Sequence, residues 1–153
     1  MTDDRRRKTE DVRSYSVPLP DEHATAELGK KIAAGLRPGN VVALSGDLGA
    51  GKTTLARAII RALTGTDEPV PSPTFTLLQQ YPSERGVIWH YDWYRLKHAE
   101  DIFELDFEEA LATGITLIEW PQRAAAYVPA SALWCRITMQ AGGGRMMECS
   151  GSR

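Results

Sequence analysis

Apolar and polar positions in this chain follow two periods, and the switches between them mark out its elements. Ala24, Leu28, Ile32 and Leu36 recur every four residues, which lays an apolar stripe along one helix. Asp21 stands where an N-cap belongs, Glu22 follows in the first turn, and Pro38-Gly39 supplies the stop. Before that helix, residues 14–20 form a short extended run whose prolines suit a sheet edge. Val41-Val42-Ala43-Leu44 and Ile115-Thr116-Leu117-Ile118 are short apolar runs, the habit of strands covered on both faces in parallel sheets. A second helix is expected from Lys52 to Leu63, ending at Gly65. Residues 66–74 hold three prolines and form a loop. Residues 75–81 and 87–91 read as an antiparallel hairpin. Residues 98–112 read as one acidic helical segment with Ile102, Leu105, Phe107 and Leu111 as its apolar positions, closed by Gly114. A short helix follows Pro121, and residues 133–139 and 145–148 make a terminal hairpin.

Composition adds bounds to this picture. At 153 residues and 42% hydrophobic, the chain fills one core but hardly two. The expected organisation is a flexible tail over residues 1–13 and a single domain over 14–153. A net charge of -2 excludes a molecule that is basic overall and binds nucleic acid on that ground. The one dense basic run, Arg5-Arg6-Arg7-Lys8, is flanked by acids; it reads as a solvated tail, with an RNA-touching arm as the alternative. Cys135 and Cys149 have no zinc-type spacing and are expected as free thiols without a disulfide partner. With no apolar leader and no membrane-spanning run, the expected location is the cytoplasm, away from any membrane.

The candidate chemistry lies between the second strand and the second helix. Gly46-Asp47-Leu48-Gly49-Ala50-Gly51-Lys52-Thr53 matches the phosphate-loop pattern G-x-x-x-x-G-K-[ST] in its proper strand–loop–helix setting. Triphosphate oxygens need many converging donors, and the backbone N–H groups of a tight loop supply them where side chains do not obstruct. Gly46, Gly49 and Gly51 remove the obstruction and permit positive φ. The helix start turns free N–H groups and its positive end toward the phosphates. Lys52 supplies a mobile charge for the β- and γ-phosphates, the Thr53 hydroxyl a hard ligand for Mg2+, and Thr54 a further hydroxyl toward the α-phosphate. The fold this implies is an α/β P-loop NTPase: three layers around a mixed, mainly parallel sheet with antiparallel hairpin strands.

A phosphate loop needs a carboxylate across the site for Mg2+ or its water shell. Glu119 ends one buried strand and Asp92 follows another; spacing alone does not rank them. His90 reads as a hydrogen-bonded packing residue or as a catalyst. Thr74, in Ser72-Pro73-Thr74, reads as a γ-phosphate-sensing hydroxyl or as a plain turn residue. Trp120 lies near the nucleotide or covers the core. The guanine signature [NT]-K-x-D is missing from the sequence, which leaves adenine by elimination. Arg95 and Arg123 are the nearest arginines by sequence to serve as a finger. A small-molecule kinase is the alternative reading, but residues 77–114 lack the arginine-rich lid such kinases use.

These blocks together resemble the bacterial TsaE (YjeE) family: Gly46 to Thr54, Ser72-Pro73-Thr74-Phe75-Thr76-Leu77, His90-Tyr91-Asp92-Trp93-Tyr94-Arg95-Leu96 and Ile118-Glu119-Trp120-Pro121. The resemblance runs from about Val17 to Ser150. It implies an ATPase, with ATP and Mg2+ as cofactors, that supports threonylcarbamoyl modification of the adenosine beside the anticodon of tRNA. It further implies work with TsaD-like and TsaB-like proteins, tRNA being met only through that complex, and weak hydrolysis by the subunit alone. Carried across, Lys52, Asp92 and Glu119 are catalytic, and Thr53, Glu119 and Asp92 hold the metal. Gly46, Asp47, Leu48, Gly49, Ala50, Gly51, Lys52, Thr53, Thr54 and Trp120 hold the nucleotide. Trp93 departs from the smaller apolar residue commoner at its place.

Overall fold

A computed structural model describes residues 12–152. In chain order its elements are β1 (Val12–Leu19), α1 (Glu22–Ala34), β2 (Val41–Gly46), α2 (Lys52–Thr64), β3 (Leu78–Tyr81), β4 (Ile88–Asp92), a 3₁₀ segment (Ala99–Leu105), α3 (Phe107–Thr113), β5 (Ile115–Glu119), a second 3₁₀ segment (Pro121–Tyr127), β6 (Leu133–Met139) and β7 (Arg145–Ser152). They build one seven-stranded sheet ordered β1-β7-β6-β2-β5-β4-β3. The four central strands are mutually parallel; β1, β7 and β3 join through antiparallel pairings. This is the three-layer, mixed-sheet P-loop NTPase fold that the sequence implies. β1 starts at Val12, inside the stretch read as tail, and the rest of that tail lies outside the described residues.

The alternation of side chains along the strands divides the core between two faces. On one face Val42, Leu44, Ile115, Leu117 and Ile137 pack against Leu28 and Ile32 of α1 and Leu55, Ile59 and Ile60 of α2. On the other, Val41, Trp89, Tyr91 and Ile118 pack with Trp93, Ile102 and Phe107. Asp21 caps α1 as its position implied, accepting from the Ala24 N–H at 2.9 Å. At the far end of α1, Arg85 from the β3–β4 turn donates through Nη1 to the carbonyls of Ala33 (2.7 Å) and Leu36 (3.1 Å), supplying the positive charge that a helix C-terminus favours.

Two stretches differ from their sequence reading. The strand expected over residues 75–81 begins only at Leu78. Leu77 adopts left-handed φ (68°), its N–H bonded to Pro73 O, so Phe75 and Thr76 belong to a turn and Phe75 is 82% exposed. The acidic segment breaks at Asp106, also left-handed (φ 58°), into the 3₁₀ segment and α3. The break has a packing cause. Residues five apart on a continuous helix point about 140° away from each other. Ile102 and Phe107 nonetheless share one core, where Phe107 meets Tyr91 and Trp93 edge-on.

Close approach of α1 and α2 depends on Gly29. A Cβ there would lie 2.5 Å from Ala58 Cβ and 3.0 Å from its backbone carbon. Gly29→Ala should gain up to about 1 kcal/mol in helix propensity. It should lose more through overpacking, on the order of 1–3 kcal/mol, because the obstacle includes backbone. Urea unfolding should show net destabilisation; a more stable variant would refute the tight contact.

Candidate functional site

The carboxyl ends of β2, β5 and β4 set the floor of the site. Their register places Leu44 opposite Glu119 and Glu119 opposite Asp92. The chain leaves β2 through the glycine loop. Gly46, Gly49 and Gly51 all take positive φ, at 142°, 79° and 112°. At Gly46 a side chain is also barred by space, because a Cβ would lie 2.5 Å from the Ile137 carbonyl oxygen of β6. Gly51 caps α2 without any side-chain acceptor, so the first-turn N–H groups of that helix are left for an anion.

Lys52 is 5% exposed and lies back under the loop, its Nζ donating to Gly46 O (2.7 Å) and Asp47 O (2.8 Å). Burial lowers its pKa, an effect that the carboxylates of Glu119, Asp92 and Asp47 oppose. The Nζ also sits 4.2 Å from the centre of the Trp120 ring. Trp120 holds its place in left-handed geometry (φ 60°), its ring tilted 47° against that of Tyr94 at 4.7 Å.

Glu119, 2% exposed, has both oxygens engaged. Thr53 Oγ1 donates to Oε1 at 2.7 Å, and the Nε2–H of His90 donates to Oε2 at 2.7 Å. With the carboxylate accepting, the shared proton belongs to Nε2, and the buried Nδ1 of His90 is left without a partner. His90 is thus a packing residue and the orienting partner of Glu119 at once. Asp92, 4% exposed, accepts from the Tyr94 N–H (2.9 Å) on one oxygen and from Thr74 Oγ1 (3.2 Å) on the other. Burial raises its carboxyl above the usual carboxylate range; the Tyr94 N–H works against that, and the charge of Glu119 adds to it.

A cleft of about 470 Å³ opens above these groups. Leu48, Gly49, Ala50, Gly51, Lys52, Thr53, Thr54, Thr74, Asp92, Glu119 and Trp120 line it, so the nominated residues from four distant stretches of sequence meet. Gly46 and Asp47 stand outside the lining and serve through their carbonyls. Arg95 lines the cleft but lies over the Phe75 ring (4.6 Å), and Arg123 lies behind, over Tyr94 (5.2 Å). The arginine on the loop is one that sequence reasoning did not nominate. Arg145, at the start of β7, donates to Gly49 O at 3.1 Å. Nothing in spacing could reveal it, since hairpin closure alone brings it to the loop. Among the described residues no three His, Cys, Asp or Glu side chains cluster to hold a metal by themselves. That fits Mg2+, which takes one or two protein ligands and completes its shell with phosphate and water.

The chain is similar to known proteins in sequence and in fold. Residues 19–147 match the family described as "Threonylcarbamoyl adenosine biosynthesis protein TsaE". The chain is 49% identical over 104 residues to a protein of Rickettsia felis named tRNA threonylcarbamoyladenosine biosynthesis protein TsaE; the match takes in 68% of this chain and 61% of that relative. A protein of the same name from Nostoc sp. is 37% identical over 135 residues, 85% of this chain and 82% of its own. The crystal structure of Bacillus subtilis YdiB superposes with a TM-score of 0.74 at 26% identity, covering 93% of this chain and 88% of that one. Since the family match runs from the last residue of β1 into β7 and so spans most of the chain, the chain belongs to the TsaE family.

Proposed function

We propose that the chain binds and hydrolyses MgATP as the ATPase subunit of tRNA threonylcarbamoyladenosine biosynthesis, in the cytoplasm, together with TsaD-like and TsaB-like proteins. The pathway follows from the names carried by its relatives. The observation that carries the chemistry is the open helix N-terminus at Gly51, with Thr53 in its first turn, faced across one cleft by Glu119 and Asp92.

The residues fit the nucleotide and its metal. Loop N–H groups and the start of α2 would hold the β-phosphate, and Lys52 would exchange its bonds to Gly46 O and Asp47 O for charged phosphate oxygens. Thr53 and Glu119 already touch, so one hard cation beside them has both oxygens in reach. Asp92 stands next in register, with Thr74 bonded to it where a γ-phosphate would be sensed. When bound, Mg2+ would neutralise developing charge on the phosphates. His90 would keep the Glu119 carboxylate oriented, and the Trp120–Tyr94 ring pair would exclude water from the Lys52 side. The arginines nearest that side among the described residues, Arg95 and Arg123, both lie on aromatic rings. Slow hydrolysis alone and faster hydrolysis with partners follow from that arrangement.

Phosphate release should therefore be slow with ATP and Mg2+ alone and rise several-fold when a TsaB–TsaD pair is added. Absence of both binding and stimulation would sink the proposed role, and phosphate appearing on a small acceptor would point to a kinase. Lys52→Ala should abolish release, by two orders of magnitude or more on the usual worth of such electrostatic groups, while circular dichroism shows an intact fold. Normal turnover in that variant would remove the loop from the mechanism.

Asp92 gives a test through stability. Its raised carboxyl binds a proton more tightly in the folded protein than in the unfolded chain. Stability therefore falls as pH rises from the ordinary carboxylate value through the raised one, and ionised Asp92 opposes folding above that window. Asp92→Asn should melt higher than wild type at pH 7 by a few degrees, with the gap narrowing toward about pH 4, while Mg2+-dependent turnover drops. A variant that melts lower at pH 7 would show that Asp92 is a structural anchor instead.

A further inference from the structure

The strand that feeds the phosphate loop has different neighbours on its two sides. β5 and β4 bring Glu119 and Asp92 to one flank, while β6 and β7 border the other. Each flank carries a cation in contact with the loop. On the carboxylate flank it is Lys52, on Gly46 O and Asp47 O. On the other it is Arg145, whose Nη2 donates to Gly49 O at 3.1 Å. The Arg145 stem runs along Gly51, with Cδ and Nε 3.4 Å from where a Cβ would stand, which is ordinary van der Waals contact. Its Nε is buried and unpartnered. Leu19 is the register partner of Arg145 on β1, and the chain runs from there to Asp21 and Glu22 at the start of α1. All four line the cleft with Thr54.

Thr53 and the two acids would hold a metal at the β/γ end of a triphosphate, so the flank of β6 and β7 would receive the nucleoside end. We infer that Arg145 binds the α-phosphate of the nucleotide there, beside Thr54, an inference that rests on the nucleotide-binding reading above. Gly49 O is a neutral acceptor, whereas a phosphate oxygen is charged and forms a hydrogen bond roughly twice as strong. An entering nucleotide therefore captures the guanidinium fork from the loop carbonyl, and it also supplies an acceptor for the orphaned Nε. Arg145 contacts a group that ADP and ATP share, so it strengthens both alike and takes no part in sensing the γ-phosphate.

Calorimetric titration of the full chain with ADP and with ATP tests this in wild type, Arg145→Gln and Arg145→Lys. Gln keeps a donor for Gly49 O and most of the stem but removes the charge; Lys keeps charge without the fork. Arg145→Gln should weaken both nucleotides by the same factor, about tenfold or more, and Arg145→Lys should recover part of the loss for both. The ligand-free melting temperature of either variant should stay within about 2 °C of wild type. Unchanged affinity for both nucleotides overturns the inference. A loss confined to ATP also overturns it, by placing Arg145 at the γ-phosphate. If affinity and ligand-free melting temperature fall together in Gln and are both fully restored in Lys, Arg145 is a loop brace and the inference fails. A wild-type chain that binds neither nucleotide sinks the nucleotide reading itself, and this inference with it.

Discussion

The Glu119 carboxylate, buried to 2% exposure between Thr53 and His90, is the interaction around which the molecule is organised. A buried ion costs several kcal/mol unless its oxygens are bonded, and here each oxygen has a partner from a different element. Thr53 ties it to the first turn of α2 and His90 to β4, while its own backbone belongs to β5. Those three elements cannot shift independently without exposing or orphaning the carboxylate. The parallel register makes the meeting possible, because a slip of one residue in β5 would turn Glu119 to the other face. That register is held in turn by the alternate burial of Leu117 on one side of the sheet and Ile118 on the other.

Around this anchor the site stores polar groups against their preference. Burial lowers the pKa of Lys52 and raises that of Asp92, so both charged forms are disfavoured in the ligand-free chain. Each is held meanwhile by modest substitutes: loop carbonyls for Lys52, a hydroxyl and one N–H for Asp92. A phosphate and a hard cation would replace these with charged partners. The left-handed backbone of Trp120 belongs to this arrangement, since it sets the indole face over Lys52.

The chain belongs to the TsaE family, and the arginines around its cleft divide into two groups. The arginines nearest the site in sequence are committed to aromatic rings. The arginine that touches the phosphate loop comes from the opposite flank of the sheet. Cations therefore touch the loop from both sides of β2, with Glu119 and Asp92 on one flank of the cleft and Asp21 and Glu22 on the other.

The local parts of this protein were legible in its sequence. Glycines at 46, 49 and 51 are needed wherever the backbone turns through positive φ, Asp21 caps the next helix from its own neighbourhood, and apolar runs at Val41 and Ile115 declare strands covered on both faces. Hard sterics and nearest-neighbour hydrogen bonds act over a few residues, so a few residues suffice to announce them. The acids at positions 92 and 119 were visible for the same reason, as strand ends beside a phosphate loop. What the tertiary structure alone decided was which distant groups meet. It broke the acidic segment at Asp106 because Ile102 and Phe107 had to enter one core, and it took Phe75 out of its strand through Leu77. It gave Glu119 the ring of His90 and gave the phosphate loop the guanidinium of Arg145, 96 residues beyond Gly49. Those contacts depend on strand order and hairpin closure, which arise from packing the whole apolar surface at once and leave no mark in local spacing.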